Sequence, residues 1–590
     1  MDYDSCPSLP AMFFENTGLM GGRPFLWRKQ DGQWTATSGA EAREGAARMA
    51  AALASLGVGP GDRVALVAES RPEWLIADMA VMAAGGITVP AYVTNKVSDH
   101  LHILKDSGAK GAIVSGPELA TNLLPAAAAA GLDFIVAFEA LEPTAGDGPA
   151  IHDWTALMAA HQPELPDLAA IARGDTACLI YTSGTGGTPK GVMLSHGAIL
   201  SNCKGAYHLL TEYGLEEEVF LSFLPLSHSY EHTAGLMFPA TIQAQIYYAE
   251  GIDKLAANMA EVRPTIMTAV PRLYETMHGR ILRGIRQKGG LSEKLFMRAV
   301  EIGARRNSGE KLTLAERIVD PLLDRLVRAK VAQRFGGRLK AMVSGGAPLN
   351  HEIGVFFRAL GVELLQGYGQ TESAPIVSCN RPSLNKIHTV GPPFVDVDLK
   401  IAEDGEILVR GELVMQGYWN KPDETAETVR DGWLHTGDVG EIDADGYLRI
   451  TDRKKDIIVN SGGDNVSPQR IEGFLTLQPE ILQAMVYGDR RPHLVALVVP
   501  DPDFMRDWAM ENGKDSDMEA LVKDETFRRA IGDAVDRVNA DLSAIERVRR
   551  FIAVAEPFSI ENSMLTPSLK IRRHVILEKY GAALEGLYGK

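Results

Sequence analysis

The sequence predicts an α/β protein: a large N-terminal domain of stacked, mostly parallel sheets covered by helices, then a small α+β domain. Three observations carry that expectation. Helix and strand patterns alternate through most of the 590 residues, as parallel strands joined by helical crossovers require. At roughly 150 residues per domain, the length suggests two to four domains. Near Arg449–Asp456 the texture changes: Tyr447-Leu-Arg-Ile-Thr finishes a strand and the charged cluster Asp452-Arg-Lys-Lys-Asp456 follows. The expected division is 1–452 and 453–590.

The elements follow in order. Glu41–Leu56 reads as an amphipathic helix stopped by Gly57-Val-Gly-Pro-Gly61, and Arg63–Ala68 as a short apolar strand. Trp74–Ala84 and Ile87–Tyr92 repeat the pair. The most apolar stretches, Trp74–Val93 and Leu124–Phe138, are interrupted by Asp78 and Asp133. Neither offers the about 20 uninterrupted apolar residues of a membrane span, so both read as buried core helices. Ala177–Tyr181, Val192–Leu194, Leu339–Val343 and Val362–Leu365 read as strands. In the small domain Ser467-Pro468 reads as a helix N-cap with proline at the first helical position. Ala484–Tyr487 and Leu494–Val499 are strands about a Gly-Asp-Arg-Arg-Pro turn; a long polar helix and a strand at Arg550–Ala555 follow.

Composition narrows the function classes. Apolar residues are 45% and charged residues 23%, which excludes disordered and collagen-like chains. With 76 acidic against 60 basic side chains the net charge is −16, so nucleic acid is not an expected partner. Cys6, Cys178, Cys203 and Cys379 lie far apart with no metal spacing, which points to reduced thiols and a cytoplasmic setting. The start, Met1-Asp-Tyr-Asp-Ser-Cys-Pro7, lacks the basic and apolar regions of a signal peptide.

One segment stands apart. Residues 280–340 hold 16 Lys and Arg against 6 Asp and Glu, a net +10, so the remainder carries −26. Leu314, Ile318, Leu322 and Leu326 recur every four residues, as do Val319, Leu323, Val327, Val331 and Phe335. They read as one apolar stripe on a helix, with Arg317, Asp324, Arg325 and Arg328 largely opposite. The reading is a helix packed on the body with a solvated basic face; docking to a membrane surface or acyl donor is the other.

The densest chemical signal is Tyr181-Thr182-Ser183-Gly184-Thr185-Gly186-Gly187-Thr188-Pro189-Lys190-Gly191. Glycines let backbone N–H groups converge on an anion, hydroxyls add donors and lysine adds charge. The string fits neither the Walker A nor the dinucleotide pattern and reads as a phosphate cradle. Ser344-Gly-Gly-Ala-Pro-Leu349 and Gln366-Gly-Tyr-Gly-Gln-Thr-Glu-Ser373 each follow a strand, where open α/β sheets bind ligands. Tyr368 offers a stacking face and Glu372 a hard oxygen for Mg²⁺. Gly432-Trp-Leu-His-Thr-Gly-Asp438 places an acid that could accept a ribose diol. His228 and His232 lack a third ligand at metal spacing. Lys454 reads as a solvated charge.

Together these motifs resemble the adenylate-forming superfamily of acyl-CoA synthetases, luciferases and peptide-synthetase adenylation domains, in family order over nearly the whole chain. Leu224-Pro-Leu-Ser-His-Ser, Val270-Pro-Arg-Leu-Tyr274, Gly336-Gly-Arg-Leu and Leu565-Thr-Pro-Ser-Leu-Lys-Ile-Arg572 are most similar to the long-chain fatty acyl-CoA synthetases. The resemblance implies a distorted barrel closing the large domain and a mobile small domain. It implies two half-reactions: a fatty acid attacks the α-phosphate of ATP to give acyl-AMP, then coenzyme A displaces AMP. Thr182, Ser183, Gly184, Thr185, Gly186, Gly187, Thr188 and Lys190 would hold the β- and γ-phosphates. Gly346, Ala347, Gln366, Gly367 and Tyr368 would line the adenine, Thr371 would touch the α-phosphate, and Glu372 with Thr182 would coordinate Mg²⁺. Asp438 and Arg453 would hold the ribose. His228 would sit near the acyl carboxylate, Lys455 would be the hinge, and Lys570 would bridge carboxylate and α-phosphate. The Ser461-Gly-Gly-Asp-Asn465 loop would line the thiol tunnel. Two departures stand out: Asp452-Arg453 where many relatives have Gly-Arg, and Ser568-Leu-Lys570 in place of Ser-Gly-Lys. An acyl-AMP ligase serving a carrier protein, and a non-catalytic acyl-adenylate binder, are the competing functions. A homodimer and peripheral contact at the inner membrane surface through 280–340 complete the expectations.

Overall fold

The computed structural model describes residues 2–142, 148–165, 167–182, 188–462, 464–566 and 570–589. Two eight-stranded sheets form the body of the large domain. In one, Arg63–Val67 lies between Ile87–Pro90 and Gly111–Val114, all parallel, and Thr176–Thr182 follows on the far side of Ile87–Pro90. Every residue of Ile87–Pro90 and Gly111–Val114 is buried, because both sheet faces are covered; hence the continuous apolar texture of these strands. The other sheet runs in parallel through Val219–Ser222, Ile266–Ala269, Ala341–Ser344 and Leu364–Gly369. Helices Leu9–Met20, Gly39–Ser55, Pro72–Ala83 and His196–Leu210 contribute to one apolar cluster shared by the two sheets. Antiparallel pairings occur toward the ends of both sheets, where Lys190–Ser195 returns beside Thr176–Thr182 and Ile376–Cys379 beside Leu364–Gly369.

The apolar stretch 74–93 holds the expected helix and strand, so only part of it is a buried helix, and 124–138, expected as a buried core helix, is likewise a helix and then a strand. Pro72–Ala83 stops before Gly85 (φ 82°) and Ile87–Pro90 begins a strand; Pro117–Ala130 stops at Gly131 (φ 74°) before Phe134–Ala137. Glycine in the left-handed region ends each helix, and the apolar run conceals the break. No helix among the described residues is long and apolar enough to cross a membrane.

The large domain ends in a five-stranded antiparallel sheet built on Glu406–Arg410, Trp433–Ile442 and Leu448–Arg453, around its own apolar cluster. This is the expected distorted barrel, with a hydrogen-bonded ladder that stays open. The small domain has a three-stranded sheet, Ile481–Tyr487, Leu494–Pro500 and Val548–Ala553, with separate apolar clusters involving helices Pro468–Leu475 and Glu525–Asp541, and Arg573–Gly586. Ser467 occupies the N-cap position, but its side chain makes no capping hydrogen bond.

The basic segment is three helical stretches, Pro271–Lys288, Gly290–Asn307 and 314–334, the last interrupted by a π-helical turn at Asp324–Arg328. The expected single stripe divides. Leu323, Val327, Val331 and Phe335 are buried and Val319 packs against them, whereas Leu314, Ile318, Leu322 and Leu326 are exposed. Arg328, expected on the solvated side, is 5% exposed and donates to the Ala299 and Ala359 carbonyls.

Candidate active site

Strand register sets the floor of the site. Trp433–Ile442 pairs with Leu448–Arg453 so that Asp438 stands opposite Arg453. Arg453 Nε donates to Asp438 Oδ1 at 3.0 Å, and the Tyr368 hydroxyl donates to Asp438 Oδ2 at 2.7 Å. Asp438 is 5% exposed, and charge-assisted bonds from two sides fix its carboxylate. Tyr368 is 8% exposed, with its ring in the barrel core. Little of the ring is open to a base, and its clearest service is to Asp438.

Gln366 is committed to backbone: Oε1 accepts the Leu349 N–H at 3.0 Å and Nε2 donates to the Thr389 carbonyl at 3.0 Å. It thereby ties the 344–349 turn to its neighbouring strand. Gly346 (φ 82°), Ala347 and Gly367 remain open to solvent along this wall. Above it the Thr371 hydroxyl lies 3.0 Å from that of Ser229, so the turn at Thr371–Ser373 meets the loop that carries His228. Glu372 Oε1 accepts the Tyr418 hydroxyl at 2.8 Å. The strand of Tyr418 pairs with Lys190–Ser195, and Lys190 sits 4.9 Å from the Tyr418 ring centroid while ion-paired with Glu424. Thr182 stands opposite Lys190, and Thr188 is exposed. Ser183, Gly184, Thr185, Gly186 and Gly187 lie outside the described residues.

His228 is half-buried, and its Nδ1 accepts the Tyr230 N–H at 3.2 Å. Burial, followed by the charge of Lys570, pushes its pKa down to about 3. The ring is therefore neutral at physiological pH, and the Nδ1 bond assigns the proton to Nε2. Beneath this loop Glu231 is fully buried; its two oxygens accept Ser222 Oγ and Thr268 Oγ1, each at 2.6 Å. Burial raises its pKa to about 7 against those two bonds. His232 pairs through Nε2 with Asp78 at 2.9 Å in the same core, both fully buried.

Lys570 enters from the small domain. Its N–H donates to Thr566 Oγ1 at 3.0 Å, its carbonyl accepts the Thr566 N–H at 2.9 Å, and a bridge joins Leu565 to Ile571. The lysine pKa falls to about 8, through crowding by protein first and Arg453 second, opposed by Asp438 and Glu372. Solvent still reaches the residue, and most of its charge survives at neutral pH. Lys570 thus stands in the field of Arg453, Asp438 and Glu372, and its own charge reaches His228.

Beyond the crossing chain, the described residues of the two domains touch through a few polar contacts. Asn350 Nδ2 donates to the Gly473 carbonyl at 3.1 Å, Arg272 donates to the Leu482 carbonyl at 3.4 Å, and Arg283 pairs with Asp503. Lys455 is exposed and lines a cavity of about 630 Å³ with Thr188, Lys190 and Arg573. Lys454, expected as a solvated charge, bonds Asp404 at 2.6 Å and Glu406 at 3.0 Å and so anchors the crossing chain to the barrel. The described residues of the 461–465 loop bond only within the small domain.

An AMP-binding enzyme model matches residues 13–419, and an AMP-binding enzyme C-terminal domain model matches 455–590. The chain belongs to the AMP-binding enzyme family. Among AMP-binding enzymes it is 36% identical to a long-chain-fatty-acid–CoA ligase of Mycobacterium bovis, covering 99% of this chain and 97% of that one. It is 31% identical to the peroxisomal long chain acyl-CoA synthetase 6 of Arabidopsis thaliana, over 90% of this chain and 78% of the relative. These relatives place it with the long-chain acyl-CoA ligases. In fold it is similar to the adenylation domain of a carboxylate reductase from Mycobacterium chelonae (TM-score 0.78, 24% identity, 99% of this chain and 91% of that one). It is also similar to an anthranilate CoA ligase solved with anthranoyl-AMP (TM-score 0.74, 21% identity, 99% and 100% covered).

Sequence reasoning gave no role to four residues around this AMP-binding enzyme's cleft. Tyr418 and Glu424 hold Glu372 and Lys190, Ser229 holds Thr371, and Glu231 underlies His228. The aromatic run Gly417-Tyr418-Trp419-Asn420 was a usable signal for the first; the others depend on tertiary pairing.

Proposed function

We propose that the chain ligates a long-chain fatty acid to coenzyme A through an acyl-adenylate, with ATP split to AMP and pyrophosphate. The observation that carries the reading is that one lysine carried by the small domain lies within electrostatic reach of Asp438, Arg453, Glu372 and His228. A carboxylate is a poor acyl donor, and attack on the α-phosphate brings two anions together. A cation placed between them is the group the step requires.

In the proposed adenylation step Lys570 bridges the acyl carboxylate and the α-phosphate, and Thr371 donates its hydroxyl to that phosphate. His228 offers its Nε2–H to the acyl carboxylate as a neutral donor, adding no charge of its own. Asp438, already oriented by Arg453 and Tyr368, accepts the ribose hydroxyls, while Gly346, Ala347, Gln366 and Gly367 form the adenine wall, with Tyr368 at its edge. Lys190 exchanges Glu424 for the β- and γ-phosphates, with Thr182, Ser183, Gly184, Thr185, Gly186, Gly187 and Thr188 as the rest of the cradle. No group of three or more His, Cys, Asp or Glu side chains is placed to hold a metal among the described residues. Mg²⁺ would be carried mainly by nucleotide phosphates, with Glu372 and Thr182 as hard oxygen donors; the ion would neutralise charge on the departing pyrophosphate. The domain division at 452/453, with Lys455 as hinge, belongs to the same proposal. Turning there would withdraw Lys570 and bring in the 461–465 loop for the thiol.

The test is AMP release across saturated acids from butanoate to eicosanoate, with coenzyme A or an acyl-carrier protein as acceptor. Release that needs coenzyme A and rises toward the longer acids is expected. Preference for the carrier protein would establish the acyl-AMP ligase alternative, and tight acyl-AMP binding without turnover the non-catalytic one.

A further inference from the structure

Helix 314–334 has two unlike faces. Inward, Leu323, Val327, Val331 and Phe335 join the second apolar core. Outward, Leu314 and Ile318 are 79% and 78% exposed, Leu322 52% and Leu326 38%, at the four-residue spacing that keeps side chains on one side of a helix. Arg317 and Arg325, each three residues after a leucine of that row, border it rather than lying opposite as the sequence suggested, and both are exposed.

The acids of this helix are all used internally. Glu316 is 4% exposed and pairs with Arg298 and Arg305 of the preceding helix. Asp320, 7% exposed, pairs with Arg306 and Arg328, and Asp324 pairs with the same two arginines. By contrast Lys311, Arg317, Arg325, Lys330 and Arg334 are exposed and make no ion pair among the described residues. The helix therefore shows the outside an apolar row and cations with no ion partner among the described residues, while its carboxylates are each engaged by arginine.

We propose that this face docks the protein on an anionic bilayer surface. An apolar row flanked by arginine and lysine is what a helix lying in a lipid headgroup layer needs: side chains to enter the acyl boundary and cations to meet phosphates. Charge complementarity selects this occupant. A second copy seated face to face would bring Arg317 and Arg325 against their own kind. The remaining −26 of the chain is repelled by anionic lipid, so only the +10 segment is drawn to it, which orients the molecule. The benefit of docking rests on the long-chain ligase reading, since long-chain acids partition into bilayers; the docking itself does not.

The test is sedimentation of the full chain with phosphatidylcholine vesicles, with and without phosphatidylglycerol. Binding to the anionic vesicles that weakens with salt is expected. Ile318→Ser with Leu322→Ser should lower partitioning by about tenfold or more, and Arg317→Glu with Arg325→Glu should remove the preference for anionic lipid. Met510→Ser, equally exposed at 80% but on the small domain, should bind as the unsubstituted protein does. Unchanged thermal unfolding and unchanged turnover of a water-soluble short acid check that the variants are folded. No binding by the unsubstituted protein, or equal binding by Ile318→Ser/Leu322→Ser, overturns the proposal. So does a lipid-free dimer that this double variant dissolves, which would give the face to a second copy. Because the assay needs no catalysis, its failure leaves the ligase reading standing, and failure of that reading leaves the vesicle result untouched.

Discussion

Asp438 and Lys570 serve one cleft and are held in opposite ways. Asp438 lies in a ten-residue strand, opposite Arg453 by register and bonded by Tyr368 from a second sheet. Lys570 is tied to Thr566 within the small domain, and among the described residues that domain meets the large one through a few polar contacts at helix Pro271–Lys288 and at Asn350. The first arrangement is preorganised and needs no ligand to form. The second is delivered and can be taken away, which is what two half-reactions at one site demand.

The sharpest break of the fixed side is Asp438→Ala. Arg453 and Tyr368 would lose their partner at the cleft floor, and both half-reactions should fall by about 100-fold or more, read as kcat/KM for ATP and for acyl-AMP. Loss confined to adenylation would mean that Asp438 does not hold the nucleotide throughout.

The delivered side has its own pH signature. Lys570 is lowered from the usual lysine value to about 8, so it is charged below that pH and loses its proton above it. Adenylation should decline about tenfold per unit well above pH 8, whereas thioester formation from supplied acyl-AMP should lack that limb. The folding linkage has the opposite sense: a lysine with a depressed folded pKa leaves the unfolded chain binding more protons between about pH 8 and 10.5. This group's contribution to stability therefore rises with pH over that window.

A smaller effect belongs to the buried support of the fixed side. Glu231 titrates near 7 when folded, against 4.5 for a free glutamate, so folded protein holds the proton more tightly. Its contribution is therefore lost as pH climbs from about 4.5 through 7, a change of about 3 kcal/mol at most. Glu231→Gln mimics the protonated side chain; urea unfolding at pH 5 and pH 8 should show a weaker decline than in the unsubstituted protein.

The contrast also marks where sequence was readable. The β–α alternation, the texture change near Asp452 and the glycine-rich strings are local in sequence, and the two sheets and small domain follow them. So do the strands that present Asp438, Thr371 and Glu372. What stayed hidden was set by partners tens of residues apart in sequence. Tyr418 reaches Glu372 across 46 positions, and Tyr368 reaches Asp438 across 70. The stripe on 314–334 looked uniform because periodicity marks a face without saying what covers it. Lys454 is exposed as expected, but nothing local to it predicts its bonds to Asp404 and Glu406.

The central claim is that Lys570 is needed for one half-reaction and dispensable for the other. Lys570→Ala, assayed separately for pyrophosphate-linked acyl-AMP formation and for thioester formation from supplied acyl-AMP, tests it most directly. Loss of about 3–4 kcal/mol of transition-state stabilisation should slow the first by roughly 100- to 1000-fold, with the second close to that of the unsubstituted protein. Undiminished acyl-AMP formation, or equal loss in both steps, would contradict it.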